Sequence, residues 1–535
     1  MSMITTSAWV RQGVAAQFPT KYEIDEKEMD RISKLARMQL EDAREDLSAA
    51  QGNGESGEKD EDAMEEDDAE EKDGKKDAAE KKTDDDDDLK EYDLDHYDSD
   101  EVDEDGEKIT MFGNVKSLAY HQPNEEDPYL VVPEDEEDEE REELQILPTD
   151  NLLLAGKVED EVAHLEVYVY EDGADNLYVH HDIMLPAIPL CVEWLDFPVG
   201  KSAENGSTTG NFVAVGTMEP DIEIWDLDVV DSMYPNAILG QGGADSDAKK
   251  SKKKKKSKAN DEFHVDSVLA LAANRQHRNL LASGSADRTV KLWDLNTAKS
   301  AKSYSHHTDK VCSLDWHPKE STVLLSGSYD RTIVAADMRA PDSKARWGVD
   351  ADVETVRWDM HDSNYFYATT DGGMVYRYDI RNAPATPKDS KPVWSLQAHD
   401  SSVSSFDINP AIPGFLATGS TDKQVKLWNV ENDKPSMVVS RKLEVGKVFS
   451  TTFAPDTDVG FRLAVAGSKG VVQVWDTSTN AAVRRAFVSR MPSLEGEVQE
   501  RMVGMQPDQD ESEDEGAPET GAVGGADGWE SMDED

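Results

Sequence analysis

The sequence predicts an all-β protein, a seven-bladed β-propeller with an N-terminal amphipathic helix and long disordered acidic tails. Three observations lead to this prediction. Short runs of alternating β-branched and aromatic residues, separated by turns rich in Gly, Asp, Asn and Pro, fill the middle of the chain. A Trp-Asp pair, or a variant of it, recurs at the ends of these runs. Acidic residues are concentrated outside this region.

The strand-closing pairs set the number of blades. Six of them begin, in chain order, at Trp225, Trp293, Ala336, Tyr378, Trp428 and Trp475. The steps between them are 68, 43, 42, 50 and 47 residues, and a further strand at 167–171 precedes them. A period of 40 to 50 residues is typical of propeller blades. We therefore expect seven blades within residues 146–494.

Two blades contain the same polar set at the same spacing. The sets are His264, Ser283, Asp287 and Trp293, and His399, Thr418, Asp422 and Trp428. The step from His to Asp is 23 residues in both, and the step from Asp to Trp is six. Each group would cost roughly 1–3 kcal/mol if buried without a partner, so we expect a hydrogen-bonded network. Hydrolase triads use the same residue types, but recurrence within strands favours a structural role.

These blades resemble WD40 repeats, and the resemblance implies that the four side chains bond across the strands of each blade. Other blades depart from the pattern. Ala336 replaces one Trp, whereas Gly372 and Lys469 stand where two of the Asp residues are expected.

The formal charge of −57 on 535 residues belongs mainly to the ends of the chain. Residues 1–150 carry −34 and residues 495–535 carry −14, which leaves −9 for the remainder. We expect 49–145 and 495–535 to be disordered, because they contain too little apolar surface to offset the entropy of ordering. The chain has no apolar run that could span a bilayer and no signal-peptide core, so we expect a soluble intracellular protein.

The chain offers little that indicates catalysis. Cys191 and Cys312 lie in apolar runs and are expected to be buried, with neither a disulfide nor a zinc site. Gly pairs at 242–243 and 372–373 lack the Lys-Ser/Thr of a phosphate-binding loop. We predict no enzyme activity, no metal and no cofactor.

Residues 1–48 are predicted to form a docking segment. Its aromatic anchors would be Trp9, Phe18 and Tyr22, followed by a helix at 25–47 with Ile32, Leu35 and Leu47 on its apolar face. The segment either folds back on its own propeller or binds an external partner. The long charged linker favours the external partner. Deletion of 1–48 should then leave the propeller folded and abolish docking.

A basic insertion at 240–262 accounts for the 68-residue step. Its eight lysines are Lys249, Lys250, Lys252, Lys253, Lys254, Lys255, Lys256 and Lys258. They form a solvated linker, a nuclear-localisation signal or a nucleic-acid contact, and their density favours the last two. In the acidic C-terminal tail, Ser512 and Ser531 precede acidic residues and are candidate phosphorylation sites, unless the tail is unmodified.

The whole chain resembles the periodic tryptophan protein 1 family of ribosome assembly factors. The residues that carry the resemblance are Ile4, Trp9, Val10, Gly13, Phe18, Pro19 and Tyr22, the segment at 92–98, and Phe112-Gly113. The resemblance implies a nuclear and nucleolar scaffold on the large-subunit (pre-60S) precursor. Its partners would be assembly factors and ribosomal proteins near pre-rRNA, with one copy per complex and no membrane.

The alternative is a chromatin-associated scaffold or acidic histone chaperone. Long acidic tails can screen basic partners of either kind, histones as well as ribosomal proteins. The charge of the tails therefore leaves both functions open.

Overall fold

The chain folds into a ring of seven four-stranded antiparallel sheets. The computed structural model describes residues 2–22, 141–200, 209–240, 260–340, 344–487 and 500–504, with the single residues 24, 29, 32, 33 and 490. The first strand of each blade contacts the first strands of both neighbouring blades, and the ring is thereby closed. The predicted seven-bladed propeller is confirmed.

In each blade the first-named strand lies at the central channel of the ring and the last-named strand lies at its outer edge. Blade 1 consists of β1 (Ser2–Val10), β3 (Asn151–Glu159), β4 (Val162–Glu171) and β5 (Asn176–Leu185). Blade 2 consists of β6 (Pro189–Leu195), β7 (Phe212–Thr217), β8 (Ile222–Asp226) and β10 (Ala237–Leu239). Blade 3 consists of β11 (Val268–Ala273), β12 (Leu280–Ser285), β13 (Val290–Asp294) and β14 (Lys299–Tyr304). Blade 4 consists of β15 (Val311–Trp316), β16 (Val323–Ser328), β17 (Thr332–Asp337) and β18 (Lys344–Gly348). Blade 5 consists of β19 (Val353–Trp358), β20 (Tyr365–Thr370), β21 (Met374–Asp379) and β22 (Trp394–Gln397).

Blades 6 and 7 complete the ring. Blade 6 consists of β23 (Ser405–Ile408), β24 (Phe415–Gly419), β25 (Gln424–Glu431) and β26 (Lys434–Lys442). Blade 7 consists of β27 (Val448–Phe453), β28 (Arg462–Gly467), β29 (Val472–Asp476) and β30 (Arg501–Gly504). A small parallel pair joins β2 (Thr20–Lys21) to β9 (Val229–Val230). The described residues also include the short helices η1 (Ile380–Asn382), η2 (Pro387–Asp389), η3 (Thr477–Thr479) and α1 (Ala481–Ala486).

Hydrophobic side chains from facing blades form the core. Among the described residues, the buried apolar side chains form seven clusters, one between each pair of neighbouring blades. The second strands are covered on both faces, so every residue of β7 and of β28 is buried. Strands buried on both sides read as continuous apolar runs, which explains their composition.

Glycines allow the blades to approach closely at the upper end of the second strands. A β-carbon at Gly284 would lie 2.8 Å from Cγ1 of Val311, the first residue of the next blade. Gly327 meets Val353 and Gly419 meets Val448 in the same way. A larger residue there would push neighbouring blades apart.

Two predicted domain boundaries are wrong. Residues 2–10 do not belong to a separate docking segment, because β1 is the innermost strand of blade 1 and pairs with β3 along its length. The propeller also extends past residue 494, because β30 is the outermost strand of blade 7. Of the predicted helix at 25–47, only Met29, Ile32 and Ser33 are described, and all three are helical. Of the region 49–145 predicted to be disordered, residues 49–140 lie outside the described residues, whereas 141–143 are helical. Of the predicted tail at 495–535, residues 500–504 are described and 501–504 form β30, whereas 495–499 and 505–535 lie outside the described residues.

Candidate interaction surfaces

The polar set of blade 3 forms one continuous network. His264 donates from Nδ1 to Asp287 Oδ2 at 2.9 Å, and its Nε2 lies 2.6 Å from Ser283 Oγ. Trp293 Nε1 donates to the same hydroxyl at 2.8 Å. Burial opposes ionisation, but the hydrogen bond from His264 lowers the pKa of Asp287 to about 2. The carboxylate therefore stays charged and fixes the tautomer of the imidazole.

Blade 6 repeats this geometry, and other blades keep parts of it. His399 bonds Asp422 at 2.9 Å and Thr418 at 2.8 Å, and Trp428 Nε1 donates to Thr418 at 2.9 Å. In blade 7 the indole N–H of Trp475 is buried without a partner. Serine and histidine in these sets are almost fully buried, with Ser283 at 0% exposure, so they cannot reach a substrate.

The N-terminal residues run across three blades. Within the first strand of blade 1, Ser7 Oγ lies 2.8 Å from Ser450 Oγ, and Trp9 Nε1 donates to the carbonyl of Thr452 in blade 7. Farther along, Ala16 N donates to Asp228 in blade 2, and β2 extends that contact by pairing with β9. Residues 2–22 therefore form a strap that joins blades 7, 1 and 2.

An ion-pair cluster links blade 7 to blade 1. Arg462 has only 9% of its surface exposed. Its guanidinium contacts Asp172 in blade 1 at 2.7 Å and Asp476 in blade 7 at 2.6 Å, and Tyr170 completes the cluster. These contacts lie where the ends of the chain meet in the ring, so they contribute to its closure.

The loops between first and second strands form the lower face and are linked from blade to blade. Each bond runs from a side chain of one loop to a carbonyl of the next: Asn274 Nδ2 to Ser321, His317 Nε2 to Ser363, His361 Nε2 to Asn409, and Asn409 Nδ2 to Gly460. The distances lie between 2.6 and 3.0 Å. These bonds give the lower face a rigid frame, and sequence reasoning missed them because every partner is in another repeat.

Charged residues line one level of the channel. Asp315 accepts the backbone N–H of Trp358 at 2.6 Å, and Asp407 accepts that of Phe453 at 2.7 Å. Burial raises the pKa of both carboxyls, Asp315 to about 6, although the nearby Arg357 opposes the rise. Each carboxylate holds the next blade, and this is a structural role. Within the described part of the chain, no group of three or more His, Cys, Asp or Glu residues could hold a metal ion.

Comparisons with known proteins agree with this architecture. The WD domain, G-beta repeat family matches residues 256–294, 298–335 and 390–429. The chain is 49% identical to an uncharacterised WD repeat-containing protein of Schizosaccharomyces pombe, over 92% of both chains. It is 39% identical to Periodic tryptophan protein 1 of Saccharomyces cerevisiae, over 93% of this chain and 92% of that one. It is 30% identical to the Drosophila melanogaster homologue, over 70% of this chain and 77% of that one.

The chain belongs to the periodic tryptophan protein 1 family. The N-terminal residues that carried this resemblance in the sequence have structural positions in the propeller. Ile4 and Val10 are completely buried, and Pro19 is buried as well. Gly13 has a φ of +70°, a left-handed conformation that favours glycine. These residues thus belong to the strap and complete the fold.

The prediction that Trp9 is a docking anchor is therefore wrong in this member of the periodic tryptophan protein 1 family. It has 8% exposure and packs edge-on against Tyr170, with ring centroids 5.8 Å apart. Phe18 and Tyr22 are half-buried on the propeller, and Tyr22 N donates to Val230 O. Ile32 is half-buried, whereas Leu35 and Leu47 lie outside the described residues. One signal for the first strand exists in the blade count: blade 1 has only three strands after residue 146, so its fourth strand has to come from elsewhere in the chain.

The predicted lysine site lies outside the described residues, but both ends of its insertion are visible. Gly240, at the upper end of β10, lies directly against Asp221 in the upper turn of blade 2. The chain returns at Asn260, whose carbonyl accepts from Lys291 in blade 3. The candidate phosphorylation sites Ser512 and Ser531 also lie outside the described residues. No helix among those described is both long and apolar enough to cross a membrane.

Proposed function

We propose that this protein is a non-catalytic scaffold in assembly of the large ribosomal subunit precursor, working in the nucleus and nucleolus. Membership of the periodic tryptophan protein 1 family supports the assignment, since the family resemblance implies this process. The buried state of the His-Ser-Asp sets supports a scaffold over a hydrolase.

One observation carries the scaffold proposal: two segments of opposite charge are attached at different places on one ring. The acidic segment leaves after Tyr22 and returns at Leu144, and Ile146 N donates to Gln17 O at 3.0 Å beneath blade 1. The lysine insertion begins at the upper face of blade 2 and returns along blade 3. Such a ring can hold a basic protein and a nucleic acid at the same time.

Gradient sedimentation tests the ribosomal assignment against the chromatin alternative. The full-length protein should co-sediment with large-subunit precursors in a nuclear extract, and RNase treatment should release it. Recovery with histones and absence from precursor fractions would contradict the proposal and favour the chromatin function.

The lysine insertion is proposed to direct nuclear localisation or to contact nucleic acid. Replacing its eight lysines at 249–258 with Gln should lower the nuclear fraction of the protein, because their charge is lost. Replacing the same residues with Arg is the matched control and should preserve the distribution. An unchanged distribution of the Gln variant would remove the localisation role.

A further inference from the structure

The outer seam between blades 3 and 4 carries three cations without a carboxylate partner among the described residues. Lys302 lies on β14, and Lys344 and Arg346 lie on β18, the outermost strands of these two blades. Both lysines are exposed and Arg346 is half-buried. In a protein with a net charge of −57, a local group of unpaired cations is unusual.

Neutral groups hold the three cations together. Lys302 Nζ donates to the carbonyl of Met338 at 3.4 Å. Lys344 Nζ lies 3.4 Å from Nδ1 of His306, and Arg346 donates to the carbonyl of the same histidine. Since none of these acceptors is a carboxylate, the positive charges remain available to a ligand.

Nearby side chains show that this seam is electropositive. Burial, together with the charges of Lys344 and Arg346, lowers the pKa of His306 to about 4. The neighbouring carboxylate of Asp337 is already held by Arg339, with bonds of 3.1 and 2.8 Å. The anion that these cations attract must therefore come from another segment or molecule.

The lysine insertion returns along the same strand, on the face of β14 opposite to Lys302. Lys302 pairs with Leu292, which packs toward blade 4, whereas Ser300 pairs with Trp293, which packs toward blade 2. The returning end of that insertion lies along β14, because Ser300 Oγ donates to Asp261 O at 3.0 Å. Lys291 Nζ joins Asn260 O to Ser303 Oγ on the same strand. Lys258 is only two residues before Asn260 in the sequence. The strand that carries Lys302 is thus also the strand at which the lysine-rich insertion returns.

We propose that Lys302, Lys344 and Arg346 bind phosphates along one strand of RNA. The inference rests on the proposed ribosomal function, which favours RNA over an acidic polypeptide as the occupant. Lysine and arginine neutralise backbone phosphates and release their counterions, so binding of this kind is independent of base sequence and sensitive to salt.

Fluorescence anisotropy with the full-length protein and a labelled 20-nucleotide poly(U) RNA tests the seam. The double variant Lys302→Glu, Lys344→Glu should bind more weakly. Its slope of log K against log salt should be shallower by about 1.4, because two contacts to single-stranded RNA are lost. The matched control is Lys434→Glu, Lys442→Glu, since both residues are exposed on the outermost strand β26 of blade 6. This control should retain the affinity and the slope of the unmodified protein.

The other outcomes overturn the inference. Equal losses in both double variants would show only a general charge effect. If poly(Glu) binding falls in the seam variant while poly(U) binding does not, the occupant is an acidic polypeptide. Gradient sedimentation separates this inference from the proposed function: a protein that binds poly(U) through the seam but never enters precursor particles retains the first and loses the second.

Discussion

At the scale of single residues, burial of polar groups dominates the structure. Asp287 accepts from His264, from the backbone of Val265 and from both the hydroxyl and the backbone N–H of Thr289. Spacing in the sequence predicted the partnership with His264. The bonds to Val265 and Thr289 depend on the turn conformation, which spacing alone cannot give.

Removal of this carboxylate should destabilise the propeller. Asp287→Ala or Asp422→Ala leaves buried donors without an acceptor, and we expect a loss of roughly 1–3 kcal/mol in the free energy of unfolding. Lys469→Ala is the matched control, because Lys469 holds the equivalent place in blade 7 and is exposed. Denaturant unfolding of all three variants measures the difference, and equal midpoints would show that the network contributes nothing.

Asp315 makes stability depend on pH in the opposite sense to an ordinary carboxylate. Burial raises the pKa of Asp315 in the folded state to about 6, whereas the pKa of an Asp in the unfolded chain is near 4. The stabilisation that protonated Asp315 gives the folded state is therefore complete below about pH 4 and is lost as the pH rises through about 6. Asn can accept the same backbone N–H without ionising. Asp315→Asn should therefore gain melting temperature over the unmodified protein at pH 7.5 more than at pH 5. A difference that is the same at both pH values would contradict the raised pKa of this carboxyl.

At the scale of strands and blades, local pattern predicted much of the structure. Blades with complete polar sets were evident from the sequence. A blade that lacks the polar set can still fold, because aromatic side chains pack in its core. In blade 5, Phe366 packs against Trp347, Trp358 and Tyr378 with centroids 4.9 to 5.7 Å apart. The first strand of blade 1 was missed because 140 residues separate it from its partner β3. A strand pattern does not reveal a partner so distant in the sequence.

The contact between blades 7 and 1 depends on Arg462. Arg462→Met removes the nearest cation from Asp172 and Asp476, which keep only the longer contacts of Arg501 at 3.6 and 4.0 Å. Removal of one partner from a buried ion pair costs about 3–5 kcal/mol. Arg339→Met removes an ion pair whose arginine side chain is 73% exposed, so it should change stability by no more than about 1 kcal/mol. Thermal unfolding compares the two variants, and a smaller loss for Arg462→Met than for Arg339→Met would refute this closure contact.

At the scale of the whole molecule, the N-terminal strap changes the meaning of the acidic region. Composition correctly separated a nearly neutral propeller from acidic segments, because charge density is visible in any window of the sequence. It could not show that the first acidic region lies between two strands of one blade. That region is an insertion whose two ends are both held by the propeller, at Tyr22 and at Leu144.

This topology reverses the expectation for an N-terminal deletion. A chain that begins at residue 23 lacks β1, and it exposes the apolar edge of β3 together with the faces that Ile4 and Trp9 cover. Loss of an innermost strand should open the ring between blades 7 and 2. A synthetic peptide of residues 1–22 can supply the missing strand as a separate molecule. Because such a ligand binds only the folded protein, the stability of the folded protein should rise with the concentration of the peptide.

The most direct test is the melting temperature of the chain at 23–535, measured with increasing amounts of the 1–22 peptide. The account predicts a melting temperature well below that of the full chain, which rises as the peptide is added. A peptide with Ile4→Asp and Trp9→Asp should have no effect, because both side chains are buried in the propeller. If the shortened chain melts at the temperature of the full chain and the peptide changes nothing, the strap is not part of the propeller.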